Sequence, residues 1–298
     1  MKKQTGFTLI ELMISLVLGL VVVAAATMLF ITGVRSQAMQ QGVSDLQDNA
    51  NFGLNYITQD VRLANLQATK AAVNQNLIYG GIVLSPSNLV SGLSGTNANL
   101  LSFSGTGVSN VNLGSDQLVI QYQPVATGGF DCEGIAIDDV DEIIVQRYFL
   151  RIDDNAGPGE GNPLALACDA GRYRKTAAAA IEGYGNSSEI IMKRVDQFRV
   201  LLNVQDETNG LYRYMDIAAY NAIAGAKPRI LGVNLGVLTR SNQNVGNDPA
   251  IAQDDEFRLL DQDLTITAQG NPQGFIRRAI SQEVALRNAS GEIGRAHV

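Results

Sequence analysis

The run from Leu12 to Val34 carries no charged residue and is apolar almost throughout. Its roughly 23 residues exceed the ~20 that an α-helix needs to cross the hydrocarbon core of a bilayer. Glu11 stands at its entry, within Phe7-Thr8-Leu9-Ile10-Glu11, after the short basic leader Met1-Lys2-Lys3-Gln4-Thr5-Gly6. A carboxylate inside a membrane span costs about 2.5–3.5 kcal/mol on insertion scales, so its presence asks for a reason. Under the positive-inside rule Lys2 and Lys3 stay cytoplasmic and the remainder of the chain lies outside.

Two ordinary readings compete. A secretory signal peptide also has a basic start and an apolar core, and Ala24-Ala25-Ala26 offers small residues for cleavage before Thr27. Against it stand Glu11 and an apolar stretch that continues through Met28-Leu29-Phe30-Ile31. A plain signal anchor leaves both Gly6 and Glu11 without a role. The arrangement strongly resembles the N-terminus of type IV prepilins, the precursors of pilus subunits. That resemblance implies cleavage after Gly6 by a prepilin peptidase, methylation of the new amino terminus at Phe7, and pairing of Glu11 with the terminal amine of a neighbouring subunit. A carboxylate in lipid is tolerable when it meets an opposite charge, and such a pair sets axial register between helices as a lone polar residue does in a coiled coil. The plainer role for Glu11 is snorkelling toward the cytoplasmic headgroups.

The helical pattern outlasts the membrane segment. Val43, Leu46, Ala50, Leu54, Ile57, Val61 and Ala64 recur at steps of three and four, and no proline interrupts residues 7–69. The expected element is a rod of some sixty residues, on the order of 90 Å long. Its half at 7–34 is apolar all round and suited to a membrane or filament core, and its half at 35–69 is amphipathic. Residues 70–114 turn to Gly, Ser and Asn and read as a connecting region, with at most short strands near 78–84 and 100–104.

From residue 115 the period becomes two. Leu118, Ile120 and Tyr122 alternate with polar partners, and 143–150 reads as a strand partly buried on both faces. Further strands are expected at 198–204, 211–215, 229–239, 264–267 and 280–286, with a short helix at 216–224. Leu231, Val233, Leu235 and Val237 make 229–239 the cleanest of these. A long helix followed by strands predicts an α+β fold, an N-terminal helical spine packed on an antiparallel β-sheet head over 115–291.

The 298-residue chain, 46% hydrophobic, suffices for one sizeable domain beyond the span. Its formal charge of −7 becomes −9 once Lys2 and Lys3 leave with residues 1–6, which disfavours general nucleic-acid binding. Arg172-Tyr173-Arg174-Lys175 is a local basic strip, more simply a solvated strand or loop than a DNA contact. Cys132 and Cys168 fit no zinc spacing, and a disulfide is favoured in an oxidising compartment, with two free thiols the alternative. Asp138-Asp139-Val140-Asp141, Asp153-Asp154-Asn155 and Asp254-Asp255-Glu256 lack the calcium-loop ligand ladder and are expected to be solvated turns. Tyr212, Tyr214 and Tyr220 cluster around a short strand, where core or cross-strand packing is the simpler role than adhesion. No phosphate loop, Ser-His-Asp set or activated cysteine is present, and neither an enzyme nor a cofactor is expected.

Downstream fragments resemble the PilW-type minor pilins, which are related in architecture to the J-type minor pseudopilins of type II secretion. They are Asn51-Phe52-Gly53-Leu54, Asp60-Val61-Arg62-Leu63-Ala64, the stretch Ser115 to Tyr122, Asp131-Cys132-Glu133-Gly134, Arg147-Tyr148-Phe149-Leu150, Leu166-Ala167-Cys168 and Ala285-Leu286-Arg287-Asn288. The family's paired cysteines map onto Cys132 and Cys168. The resemblance implies a subunit of a pilus-initiating tip complex. Its partners would be other minor and major pilins, the prepilin peptidase, an inner-membrane assembly platform and a tip adhesin, with inner-membrane lipid around the helix before assembly. A type II secretion pseudopilin and an adhesion or DNA-uptake module are the alternatives. The end of the chain is a separate matter. Ile293-Gly294-Arg295-Ala296-His297-Val298 translates the start of a common sequencing adapter, so residues 292–298 are expected to be read-through and the genomic locus to diverge near Glu292. His297 is the sole histidine.

Overall fold

Helix α1 (Leu9–Leu63) is a single continuous rod of 55 residues in the computed structural model. At 1.5 Å per residue it is about 82 Å long. The structure describes residues 6–66, 73–74, 76–90, 93, 100–157, 161–175, 180–185, 188–206, 210–242, 256–268, 274–287 and 289. The helix stops short of the expected residue 69. Ala64 leaves helical geometry and Asn65 adopts φ 69°, a left-handed conformation that asparagine tolerates and that closes the helix. Gly81 packs against the backbone of Ala64 and Asn65, a close approach that a side chain would obstruct. Residues 67–69 lie outside the described residues.

The two halves of α1 differ as the pattern predicts. Residues 9–34 are exposed among the described residues, whereas Gly42, Leu46, Ala50, Gly53, Leu54, Ile57, Thr58 and Val61 are buried at steps of one, three and four. Gly53 leaves room for the Met192 side chain, which lies where its Cβ would be. Polar ties reinforce the seat: Asn49 Nδ2 donates to the Lys193 carbonyl at 2.7 Å, and the Tyr148 hydroxyl donates to Asp60 at 2.7 Å.

The head is built from two antiparallel sheets rather than one. The first runs β1 (Phe103–Gly107), β2 (Ser115–Tyr122), β3 (Glu142–Ile152), β4 (Leu164–Arg174) and β5 (Glu189–Lys193) in sequence order. The second contains β6 (Val195–Gln205), β7 (Tyr212–Asp216), β8 (Arg229–Arg240) and β11 (Arg277–Ala285), ordered β11-β8-β6-β7. Helix α2 (Ile217–Ala222), capped by Asp216, follows β7, and β9 (Glu256–Leu259) and β10 (Gln262–Thr265) form a separate hairpin. Ala50, Leu54, Ile57 and Val61 meet Leu118, Ile120 and Tyr148 of the first sheet and Phe198, Val200, Val233 and Leu235 of the second in one core.

Strand β2 departs from the expected alternation, since all eight of its residues are buried. The cause is the segment read as a connection. It folds back over the outer face of the first sheet, where Val83, Leu89 and Leu100 cover Val119, Ile143, Val145 and Tyr173 in a second core. Gln121 Nε2 donates to the carbonyls of Gly80 and Asn88 at 2.8 and 2.9 Å, and Gln117 Nε2 donates to Leu101 at 2.8 Å. Side-chain amides thus supplement the two backbone bonds there, Val83 N to Val119 O and Gln121 N to Gly81 O, both 2.9 Å, and satisfy the remaining buried polar groups. The expected strand at 78–84 reduces to one bridge between Ile82 and Ile120. Strands β4, β5 and β9 were not legible, and β10 lies two residues earlier than expected. The third core joins Leu238 to Leu259 and Leu264, so the β9–β10 hairpin caps one end of the second sheet.

Gly232 tests this packing. A Cβ there would lie 2.5 Å from the Val284 carbonyl oxygen and 3.3 Å from the Ala285 Cα, both on the adjoining β11 backbone. Gly232→Ala is expected to destabilise the head by about 1–3 kcal/mol. Gly19→Ala, whose Cβ meets nothing within 4 Å, should leave stability unchanged. Urea unfolding of the detergent-solubilised full chain, followed by circular dichroism, measures both.

Candidate functional site

The N-terminal motif sits on a defined helix start. Gly6 and Phe7 precede the helix and are exposed. Thr8 is the N-cap, with φ −78° and ψ 150°, and its Oγ1 accepts from the Glu11 amide at 3.3 Å. Glu11 reaches back, so that its Oε2 accepts from the Thr8 amide at 3.0 Å and from the Thr8 hydroxyl at 2.9 Å. This reciprocal capping box satisfies donors that a helix otherwise leaves open at its start. It gives Glu11 a role inside its own chain that the sequence did not suggest. Both bonds use Oε2, so Oε1 can still accept from a further donor. The Ser15 hydroxyl bonds to the Glu11 carbonyl one turn on.

Cys132 and Cys168 are joined in a disulfide, with Cα atoms 6.1 Å apart. Cys168 lies in the middle of β4, and Cys132 lies in a small hairpin between β2 and β3. That hairpin is closed by Ile137 N to Gly129 O at 2.8 Å and Gly128 N to Ile137 O at 3.0 Å. Arg172 braces it from β4, donating to Asp131 Oδ2 at 2.7 Å and to the Ala136 carbonyl at 2.9 Å. Two of the strip's three cations thus meet acids: Arg172 pairs with Asp131, and Arg174 pairs with Asp139. Tyr173 is buried, and Lys175 donates to Gln123 at 2.6 Å. The strip is a braced strand end on which Arg174 remains solvated.

The acidic turns also resolve differently. Asp153 is buried and accepts from Arg194 at 2.9 Å, so Asp153-Asp154-Asn155 is no solvated turn at its first residue. Asp139 accepts from the Asp141 amide at 2.8 Å. Asp254, Asp255 and His297 lie outside the described residues, as do residues 292–298. Among the described residues no group of three or more His, Cys, Asp or Glu could hold a metal ion. The tyrosines separate: Tyr212 and Tyr214 are exposed on β7, whereas Tyr220 is fully buried and donates to the Pro228 carbonyl at 2.9 Å.

Buried Asp116 and Asp196 and the partly buried Asp60 escaped the sequence reading. Asp116 accepts from the Gly105 and Val200 amides at 2.8 and 2.7 Å and pairs with Arg199 at 3.3 Å, which also grips Asp261 at 2.6 Å. Burial pushes the Asp116 carboxyl up to about 6 against those favourable contacts. Asp196 receives Arg277 at 2.7 Å and the Asn110 amide at 2.7 Å. Asp60, inside the helix seat, is raised to about 6 by burial and by nearby Asp131, while Tyr148 and Gln146 favour its charged form. An acid within the apolar period of the second half of α1 was the one available signal, at Asp60.

Residues 1–27 match the prokaryotic N-terminal methylation motif, and residues 159–288 match the family described as Type IV Pilus-assembly protein W. A type IV-like pilin from Thermus thermophilus is similar at 12% identity and a TM-score of 0.41, covering 82% of this chain and 96% of that one. No curated protein matches the sequence. The prepilin motif on a long helix that leads into an antiparallel head defines a type IV pilin-like protein. With that match in its second half, the chain is similar over residues 159–288 to the PilW family of pilus-assembly proteins.

The Asp60 carboxyl makes the helix seat pH-sensitive. Its folded value, near 6, lies above the ordinary 3.8, so the folded state holds the proton more tightly. Its contribution is therefore complete below about pH 4 and is lost as pH rises through 6. Asp60→Asn keeps an acceptor for Tyr148 and should remove this slope, leaving the variant more stable at pH 8 by on the order of 2 kcal/mol. Denaturation midpoints from pH 4 to 8 decide it, and a variant with the parent's slope would refute the assignment.

Proposed function

We propose that this chain is a minor pilin that takes part in initiating type IV pilus assembly and resides at the filament tip. The observation that carries the reading is the division of α1: one rod with an apolar half that none of the described residues covers and a second half seated in the head. An apolar helix of that length is stable in lipid before assembly and among the helices of neighbouring subunits after it. The prepilin motif fits an inner-membrane anchor, and the disulfide suits a periplasmic head. The partners are other minor and major pilins, the prepilin peptidase, the inner-membrane assembly platform and a tip adhesin.

Cleavage after Gly6 exposes the Phe7 amine, which is methylated. Glu11 then pairs with the terminal amine of a neighbour through Oε1 and fixes the axial register. The head's selectivity lies in its surface, and the internal pairing of Arg172 and Arg174 argues against a nucleic-acid contact there.

Intact-mass and N-terminal analysis of the membrane-extracted protein should find residues 1–6 absent and an N-methylated Phe7. A terminus at Thr27 would hand the segment to secretory cleavage.

Glu11→Ala is expected to be processed normally yet to be depleted from sheared filaments. Deletion of the gene should abolish surface pili and twitching while exoprotein secretion continues. The reverse phenotype would make the chain a type II secretion pseudopilin.

A further inference from the structure

We propose that the corner formed by the second half of α1 and the cystine-braced hairpin is a docking surface for a second, different pilin subunit whose face is apolar with a basic rim. The proposal rests on the pilin reading above, from which it takes its occupant. Phe52 is 68% exposed on an otherwise polar helix face. It stands two residues from both Ala50 and Leu54, roughly 200° round the helix from each, and so points away from the core. Tyr56 lies one turn further on the same face, and its hydroxyl donates to the Cys132 carbonyl at 3.4 Å, which joins the helix face to the hairpin.

The hairpin presents Phe130 at 68% and Ile135 at 50% exposure, with Val125 exposed in the same loop. A loop with three outward apolar side chains would ordinarily collapse onto the head. This one is held open by the disulfide, by Arg172 on Asp131 and Ala136, and by Asp131 Oδ1 accepting from the Glu133 and Ile135 amides at 3.1 and 2.9 Å. Such bracing lowers the ordering cost of binding, and apolar side chains clustered within a polar rim mark interaction surfaces.

Two observations select the occupant. First, α1 is unbroken, so a neighbour packed along its uncovered half reaches Phe52 by continuing ~27 Å beyond Val34. Second, the rim is acidic. Asp45 and Asp48 precede Phe52, and Asp138 and Asp141 follow the hairpin, all four exposed and without an ion-pair partner among the described residues. A second copy of this chain would bring the same acids to the contact, so like charges disfavour it and a basic partner is favoured.

The test uses the full-length chain in its own bacterium. The photo-crosslinker p-benzoylphenylalanine replaces Phe52, Phe130 or, as a reference in the membrane half, Val22, and adducts are identified by mass spectrometry. Positions 52 and 130 should capture the same protein, one that carries a prepilin-type N-terminus and is not this chain. Phe130→Asp should lower the yield at position 52 at least ~tenfold, as loss of an anchor residue does. Ile135→Asp provides the same readout should Phe130→Asp fail to form the Cys132–Cys168 disulfide, which non-reducing electrophoresis reports. Adducts at Val22 with none at 52 or 130, or at only one of the two, overturn the proposal and leave the pilin reading standing. Capture of a second copy of this chain overturns the choice of partner. Absence of pilin adducts at all three positions overturns both readings.

Discussion

The head is organised around one apolar stripe on one helix. Leu46, Ala50, Leu54, Ile57 and Val61 form a helical stripe buried against both sheets, and strands from each sheet turn their inward faces to it. An apolar helix face gains most of its stability from being covered. For 42–61 the covering is internal, so the head's main core includes the helix. For 9–34 no covering exists among the described residues, and that asymmetry leaves the first half of the rod exposed in the isolated chain. The same rod therefore serves as the foundation of the domain and as the handle by which the domain is placed.

Around that stripe the sheets are keyed together by buried charge. Arg199 gathers Asp116 from β2, Asp261 from the β9–β10 turn and Asp216 from the α2 cap, while Asp196 receives Arg277 from β11 and the amide of Asn110. Buried pairs are weak sources of stability, because desolvation offsets most of the attraction. Breaking one, however, leaves a stranded charge. Their effect is therefore to penalise every alternative register, which matters where β6 and β8 carry bulges that could otherwise slip. The pH response of Asp60 belongs to the same logic at the helix seat. There a carboxyl with a tyrosine hydroxyl and no cation bonded to it is most comfortable neutral.

What could be read from the sequence follows from which patterns are local. The helix was legible because an uninterrupted apolar run leads into a three-and-four period at 43–64, and β8 because Leu231 to Val237 alternates cleanly. Strand β4 was not, since Leu-Ala-Leu-Ala-Cys-Asp-Ala-Gly is buried on both faces and has neither alternation nor β-branched residues. The fold-back of residues 79–90 and 100–101 was hidden for a related reason. Its backbone is satisfied in part by Asn88, Gln117 and Gln121 side chains, and such pairings leave no periodic trace. Of the candidate site, Gly6, Phe7 and Glu11 were plain as a motif, but the capping box was overlooked although Thr8-x-x-Glu11 spells it. The buried acids were invisible because their partners lie far away in the chain, as Arg199 does from Asp116, 83 positions apart.

The capping box bears on why a neighbour's carboxylate is needed at all. A helix start already carries partial positive charge from its free amides. Cleavage after Gly6 would place a cationic amine one residue before the N-cap, adding charge of the same sign in a low-dielectric setting. Glu11 of the same chain is held to Thr8 by two bonds to one oxygen, so moving it to the amine would undo the cap. In the proposed assembly a carboxylate from an adjacent helix would meet the amine without that loss, and Oε1 of this chain's Glu11 would do the same for the next amine. Each helix start would then keep its own cap and neutralise another's terminus. A shift of one helical turn between neighbours, ~5.4 Å, would separate both charges at once, which is why so small a motif can fix the axial rise of an assembly.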